Sequence, residues 1–350
     1  MTTASTDMLV LVTGASGFIA GHCVRELLEH GYALRGTVRS VQAREKYAHL
    51  RAIAGRTGGT LELVEADLGS DRGWREAVAG CTYVLHVASP FPAEVPKNEM
   101  DLIRPAVDGT KRVLSACAES GTVKRVVLTS SVAAIAFGHD AHDRRVRTET
   151  DWSNVGRCEA YQKSKTLAER AAWDFVAGLP AGQRFELAVI NPGFVLGPVM
   201  NADPGTSGEV VRKLLAREMP ACPRIGFAPV DVRDVAIAHR LAMESPRAPG
   251  NRYICAGDHM WIEDMAKVLA AEFNPKGYRV PTGRLPYWLM WIIARFDKTI
   301  RLALEYVGRE ERVSCDKAKR ELGWSMRPVE QTILDTGRSM VEYGIVPARG

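Results

Sequence analysis

The sequence predicts an α/β fold, a doubly wound parallel sheet with a smaller, mainly helical C-terminal lobe. Three observations predict it. Through the first 190 residues, short β-branched runs alternate with longer amphipathic ones. The strand runs are nearly continuous in apolar residues, as in VVLTS, which suits a sheet covered on both faces. After Asn191 the alternation gives way to a stretch rich in Pro and Gly and then to helical periodicity. No internal repeat of fixed period is present, which excludes a solenoid.

The elements follow in order. Leu9–Thr13 reads as a strand and Phe18–His30 as an amphipathic helix. Ala33–Val38 is a strand and Gln42–Ala54 a helix; Leu61–Ala66 is a strand and Asp71–Ala79 a short helix. Thr82–Val87 is a strand, Asp101–Ser120 a long helix and Arg125–Ser130 a strand. A polar, irregular stretch near His139–Ser153 precedes a helix at Cys158–Ala177 and a strand at Glu186–Asn191. Gly208–Glu218 reads as a helix, VDVRDVAIAHRLAME as another, and RYICAG as a strand that returns to the sheet. A dinucleotide-type domain therefore takes residues 1–191, with 230–256 rejoining it. Residues 192–229 and 257–350 form the substrate lobe and C-terminal helices.

The chain has 350 residues, 46% hydrophobic and 25% charged, enough to bury a core without disulfides or metals. A net charge of +5 with no clustered basic face argues against nucleic acid. The seven cysteines show no C-x-x-C spacing, which reads as reduced thiols in a cytoplasmic protein. The N-terminal segment lacks the basic region of a signal peptide. The most apolar stretch, Leu285–Phe296, carries an Arg and is shorter than the ~20 residues a membrane span needs. Its Trp and Met residues are expected to pack a helix. A monomer or homodimer is expected, with a small molecule as the partner.

The strand LVLVT runs straight into GASGFIAG. Gly14 allows a tight turn, Gly17 lets a pyrophosphate approach the backbone, and Ala20 permits close helix–strand packing. The helix that follows offers free N–H groups and a positive dipole end to phosphate. This is a Rossmann-type dinucleotide turn. The second strand ends in GTVRSVQAREK, with no acid from Gly36 to Arg44 to hold ribose hydroxyls. Arg39 at the strand end suits a 2′-phosphate, with Lys46 beyond it, while Arg44 reads as a surface charge. Asp67, after the third strand, suits the adenine amino group.

Tyr161 and Lys165 stand i, i+4 on one helix face. An ammonium beside a phenol favours the phenolate and lowers a pKa that is ordinarily ~10. Ser130 and Ser131 end the strand RVVLTSS at the carboxyl edge of the sheet, where open α/β sheets bind ligands. A hydroxyl there can stabilise negative charge on a substrate oxygen.

Taken in order, VTGASGFIA, GTVR, EADL, VLHVASPF, AVDGTKRVLSAC, VVLTSSVAAI, YQKSKTLAE, INPGFVLGP and ELGW resemble the landmarks of one family. The chain resembles an extended short-chain dehydrogenase/reductase. Within that superfamily it is similar to the dihydroflavonol reductase/cinnamoyl-CoA reductase/aldehyde (methylglyoxal) reductase group. The resemblance implies Ser131, Tyr161 and Lys165 as the catalytic triad, with Ser130 second to Ser131. It implies NADPH/NADP+ as cofactor, with Val87, Ala88, Ser89, Pro192, Gly193 and Val195 lining it and Lys165 on the nicotinamide ribose. Gly14, Ser16, Gly17, Phe18, Ile19, Arg39, Lys46, Asp67, Leu68, Thr129 and Tyr161 complete the expected cofactor set.

Two departures bear on the substrate. Ala136 stands near the place of the Asn that dihydroflavonol reductases carry beyond the serine, and RCEAYQKSK replaces an NWYCY-type motif. The expectation is an NADPH-dependent carbonyl reductase for aldehydes and ketones. The alternatives are a 3β-hydroxysteroid-type dehydrogenase, a nucleotide-sugar epimerase or dehydratase, and a non-catalytic NADP-sensing protein. The pocket is expected at Ser89–Phe91, Ser131–Ala136, Phe194 and near Phe227, apolar and small, with compact hydrophobic substrates preferred over acyl-CoA thioesters and nucleotide sugars. Arg212, Lys213 and Arg217 are the nearest basic residues and are expected to face water. His86 reads as a packed histidine, and no metal is expected at His139, Asp140, His142 and Asp143.

Overall fold

The computed structural model describes residues 8–90, 98–140, 142–295 and 304–349. The chain opens with β1 (Leu9–Val12), α1 (Phe18–Glu29), β2 (Ala33–Val38), α2 (Ala48–Thr57) and β3 (Leu61–Glu65). It continues with α3 (Trp74–Val78), β4 (Tyr83–His86), α4 (Met100–Ser120), β5 (Arg125–Thr129), α5 (Ala160–Ala177) and β6 (Glu186–Pro192). Then come β7 (Phe194–Leu196), α6 (Gly205–Leu215), β8 (Gly226–Phe227), β9 (Pro229–Asp231), α7 (Val232–Glu244) and β10 (Arg252–Cys255). β11 (Met260–Trp261), α8 (Ile262–Phe273), α9 (Tyr287–Ile293) and helices at Asp316–Leu322 and Val329–Glu342 complete the described elements.

Seven strands form one parallel sheet in the order β10-β6-β5-β4-β1-β2-β3. This is the expected doubly wound sheet, and its order reverses between β1 and β4. Crossovers leave that point in opposite directions, so a crevice opens beyond the carboxyl ends of the two strands. One face of the sheet packs on α1 and α7. On α1 the residues Ala20, Cys23, Val24, Leu27 and Leu28 recur at helical spacing and are buried. The other face packs on α3, α4 and α5 through residues such as Trp74, Val113, Leu114 and Ala172. A third core joins α6, α8 and the Val329–Glu342 helix.

Local chemistry moves several boundaries. The helix expected at Gln42–Ala54 begins as a single tight turn, Arg44–Tyr47, with the Tyr47 hydroxyl donating to the Ser40 carbonyl at 2.8 Å. α2 then runs on to Thr57, where Gly58 takes the left-handed conformation that ends helices. The helix expected from Val230 starts at Val232 instead, because the Asp231 carboxylate caps it by accepting the Arg233 N–H at 2.8 Å. Asp231 and its neighbours form β9, which pairs with β7. The expectation that the tryptophans of the apolar segment are packed is not met. On α9, Met290 is buried while Trp288 and Trp291 are 64% and 48% exposed. Phe296 lies outside the described residues. Among the described residues no helix is long and apolar enough to cross a membrane.

Candidate active site

Gly14 sits at φ +63°, and a Cβ there would lie 3.0 Å from Ala88 Cβ. The turn needs glycine both for its conformation and for its approach to the β4 end. Its N–H donates to Thr37 Oγ1 at 2.8 Å, and the Gly17 N–H donates to the Gly14 carbonyl at 2.8 Å. Thr13 Oγ1 accepts the N–H groups of Val87 and Ala88 at 3.0 and 2.9 Å, which ties the two expected segments together. The same hydroxyl donates to His86 Nδ1 at 2.9 Å, and burial pushes that ring down to about 3. His86 is thus a packed, hydrogen-bonded histidine. No side chain caps the N-terminus of α1. Ser16, Gly17 and Phe18 line a shallow dent beside it.

Arg39 is exposed at the end of β2, and its guanidinium has no side-chain partner among the described residues. Glu65, at the end of β3, accepts the Val41 N–H at 2.8 Å and so fixes the chain beyond Arg39. Lys46 is exposed on the turn that follows. Asp67 is exposed, and its Oδ1 accepts the Gly69 N–H at 2.7 Å. Leu68 packs under Gly109 of α4. Thr129 is turned away from the crevice side: its hydroxyl donates to His239 Nε2 at 2.6 Å, since His239 Nδ1 is bonded to the Val235 carbonyl. Gly193 has no room for a side chain, because a Cβ would lie 2.1 Å from the Ala228 carbonyl oxygen. Val195 next to it is buried.

Tyr161 lies in the first turn of α5, and Lys165 follows one turn later, its Nζ 5.9 Å from the Tyr161 ring centre. The Tyr161 and Ser131 hydroxyls are hydrogen-bonded. Ser131 Oγ also accepts the Ala133 N–H at 3.1 Å. Ser130 points the other way. It is buried, and its hydroxyl donates to Glu169 Oε2 at 2.5 Å. Glu169 also pairs with Arg252 at 2.5 Å and accepts Asn191 Nδ2 at 2.8 Å. Asn191 Nδ2 bridges onward to the Ser131 carbonyl at 3.1 Å. This buried network holds the serine loop against α5, and the Glu of KTLAE and the Asn of INPGF are its sequence marks.

The electrostatics differ from expectation. Burial pushes the Tyr161 phenol up; the Ser131 hydrogen bond pulls it down and the Glu311 charge raises it further. The Lys165 ammonium, 5.9 Å from the Tyr161 ring centre, donates to Ser89 Oγ at 2.9 Å. Burial lowers Lys165 itself to about 8.

Ser131 and Tyr161 line a cleft of about 900 Å³. Its apolar wall includes Ala133, Ala136, Phe137, Phe194 and Phe227. Phe194 and Phe227 stack with ring centres 4.2 Å apart. Ser89 is engaged with Lys165 and does not line the cleft, and Phe91 lies outside the described residues.

A match to the NAD dependent epimerase/dehydratase family covers residues 10–256. The chain belongs to that family. Over 343 residues this family member is 36% identical to cinnamoyl-CoA reductase 1 of Petunia hybrida, covering 97% of this chain and 94% of that protein. It is 33% identical over 343 residues to tetraketide alpha-pyrone reductase 1 of Arabidopsis thaliana, covering 96% of each. Among solved structures it is similar to yeast methylglyoxal/isovaleraldehyde reductase Gre2 complexed with NADPH. There the TM-score is 0.78 at 30% identity, over 97% of this chain and all of that one. The resemblance to extended short-chain dehydrogenase/reductases and to the reductase group is thereby borne out.

This family member departs from the expected small, apolar pocket. Arg144, Arg145, Arg147, Arg309 and Arg312 all line the cleft. Arg145 and Arg147 pair with Asp143, and Arg312 pairs with Glu310. Arg144 and Arg309 form no ion pair among the described residues, and the Arg144 charge reaches Glu310. Of the basic residues named from sequence, Arg212, Lys213 and Arg217, none lines the cleft; Arg212 pairs with Glu209 and Glu218, while α6 presents Thr206 and Ser207 to the cleft. His139 and Asp140 also line the cleft, where His139 Nε2 is bonded to the Ile135 carbonyl. Among the described residues no cluster of three metal-binding side chains exists.

Proposed function

We propose that this protein is an NADPH-dependent carbonyl reductase that converts aldehydes or ketones to alcohols. The observation that carries the reading is the pairing of Tyr161 and Ser131 hydroxyls on one cleft wall with Lys165 a turn away. The cofactor site fits the group. A side chain on Gly14 would fill the cradle, the α1 N-terminus is uncapped, and Arg39 stands unpaired where a 2′-phosphate needs a cation. NADP in its reduced form supplies the hydride for the carbonyl carbon. Tyr161 donates its proton to the carbonyl oxygen, and Ser131 donates a hydrogen bond to that oxygen as charge develops. Lys165 places a positive charge beside the phenolate that is left, which favours proton release in the forward direction. The reductase names of the relatives and the NADPH complex of the yeast neighbour support this reading.

A second reading is favoured by one observation. Arg144 and Arg309 would suit an anionic substrate tail, such as that of an acyl-CoA thioester. One assay tests both. NADPH oxidation is followed with small aldehydes, diketones, aryl ketones, steroids, an acyl-CoA and a nucleotide sugar. Turnover highest for the aldehydes and ketones supports the proposal. A kcat/KM highest for the thioester favours the second reading. One highest for the sugar nucleotide, or absence of any NADPH oxidation, overturns both.

A further inference from the structure

Among the described residues, two acceptors in the cleft have no partner. The Glu311 backbone N–H donates to His259 Nδ1 at 3.0 Å, and Glu311 Oε2 accepts the Ala228 N–H at 3.0 Å. These bonds fix the carboxyl, yet its Oε1 is buried and unbonded. Gln162 directly follows Tyr161, and its Nε2 donates to the Tyr306 hydroxyl at 2.9 Å. Its Oε1 is likewise buried and unbonded. Both side chains line the cleft with Tyr161 and Ser131. Burial pushes the Glu311 carboxyl up to about 7, and its charge reaches the Tyr161 phenol. Buried acceptors are costly unless a donor meets them, so this pair calls for a donor carried in by a ligand.

We propose that Glu311, with Gln162 in the same cleft, is a specificity-determining residue that accepts a hydrogen bond from a substrate hydroxyl, so that the cleft selects hydroxylated aldehydes and ketones. The donor is a hydroxyl rather than an ammonium, because a cation would meet the unpaired guanidinium groups of exposed Arg144 and Arg309 in the same cleft. The inference rests on the carbonyl-reductase reading and narrows its substrate. A site built to bond a hydroxyl rejects the analogue without one, since its acceptors then stay buried and unpaired.

The test compares matched pairs: para-hydroxybenzaldehyde against para-tolualdehyde, and hydroxyacetone against butanone. In the unmodified protein, kcat/KM for the hydroxylated member of at least one pair is expected to be about tenfold to a hundredfold higher, chiefly through KM. Glu311→Gln keeps an oxygen for the Ala228 N–H and turns an NH2 group toward the cleft. It should lower that ratio about tenfold or more. A ratio near one in every pair overturns the proposal, and so does a ratio that Glu311→Gln leaves in place. A variant that loses NADPH affinity while keeping the ratio overturns it too, by assigning the carboxyl to the cofactor. If Glu311→Gln does not fold, Gln162→Met takes its place: a fall in the ratio supports the proposal and an unmoved ratio overturns it. Failure of every substrate to oxidise NADPH overturns the reductase reading itself, an outcome distinct from equal use of both members.

Discussion

The two ends of the site are built by different rules. The glycine turn is made of backbone: a positive φ at Gly14, a chain too close to Ala88 for a side chain, and an uncapped helix start. Its partners lie within three short segments at the ends of neighbouring strands. The cleft is lined by residues drawn from 131–140, 143–147, 161–162, 193–194, 206–207, 225–227 and 306–312. A backbone cradle accepts any ligand with the right phosphate geometry and tolerates change in most flanking side chains. A side-chain cleft changes its ligand with single substitutions. On the proposed reading, cofactor choice would rest on geometry plus one cation, Arg39, whereas substrate choice would rest on a few buried polar atoms.

The largest effect is expected where the two ends meet. Tyr161→Phe removes one oxygen from the cleft wall. Folding and NADPH binding should persist, because neither the turn nor Arg39 is touched. kcat should fall by ~10²–10⁴, the range for loss of a general acid. Single-turnover reduction of a good aldehyde checks this, and near-normal turnover would move the proton donor to another group. Lys165→Ala should lose both rate and cofactor affinity, since the ammonium is asked to serve both.

A pH experiment sharpens the view of the cleft as a strained side-chain environment. The Glu311 carboxyl titrates near 7 in the folded protein against its ordinary 4.5. Between these values the folded state holds a proton that the unfolded chain has lost. Stability from this group is therefore full below pH ~4.5 and is lost as pH rises through ~7. The shift corresponds to on the order of 3 kcal/mol. Buried His22, His86 and His239, all depressed by burial, act in the opposite direction. Subtracting the pH profile of Glu311→Gln from that of the unmodified protein cancels them. Denaturant unfolding at pH 4.5 and 8 should show the difference shrink or reverse across the window; parallel profiles would mean the carboxyl is solvated.

At the turn, Arg39→Asp should raise the NADPH Kd by about one to two decades, the loss of ~1.5–3 kcal/mol for one charge-assisted contact. NADH use should be spared or improved. Equal binding of both cofactors, unchanged from the unmodified protein, would make Arg39 a surface charge.

This asymmetry explains what could be read in the sequence. The placements of Gly14, Gly17, Arg39 and the Tyr161–Lys165 pair were legible because each follows from local spacing: a turn, a strand end, a helix face. The parallel sheet was legible for the same reason. Ser131 over Ser130 needed the resemblance, since both end one strand and only the fold shows Ser130 bonded to Glu169. Glu311 and Gln162 carried no signal, because a carboxylate becomes unusual only once burial removes its water. Arg144 and Arg309 were not singled out from the sequence; the basic residues named there, Arg212, Lys213 and Arg217, were expected to face water, and Arg212 spends its guanidinium on Glu209 and Glu218.

The smallest effect concerns those two arginines. Both are exposed, so their attraction for an anionic substrate tail is weakened by water and salt. The double variant Arg144→Ala, Arg309→Ala should raise KM for an acyl-CoA relative to a neutral aldehyde by less than about tenfold at low ionic strength, since exposed charge pairs contribute ~0.2–1 kcal/mol each. At an ionic strength of ~0.5 M the relative change should vanish, because screening then acts within a few ångströms. Steady-state KM values for the two substrates at both salt levels check this. A loss of kcat, or a KM effect that salt leaves intact, would place a guanidinium deep in the cleft against the substrate, and the cleft would then hold its own fixed cation as the turn does.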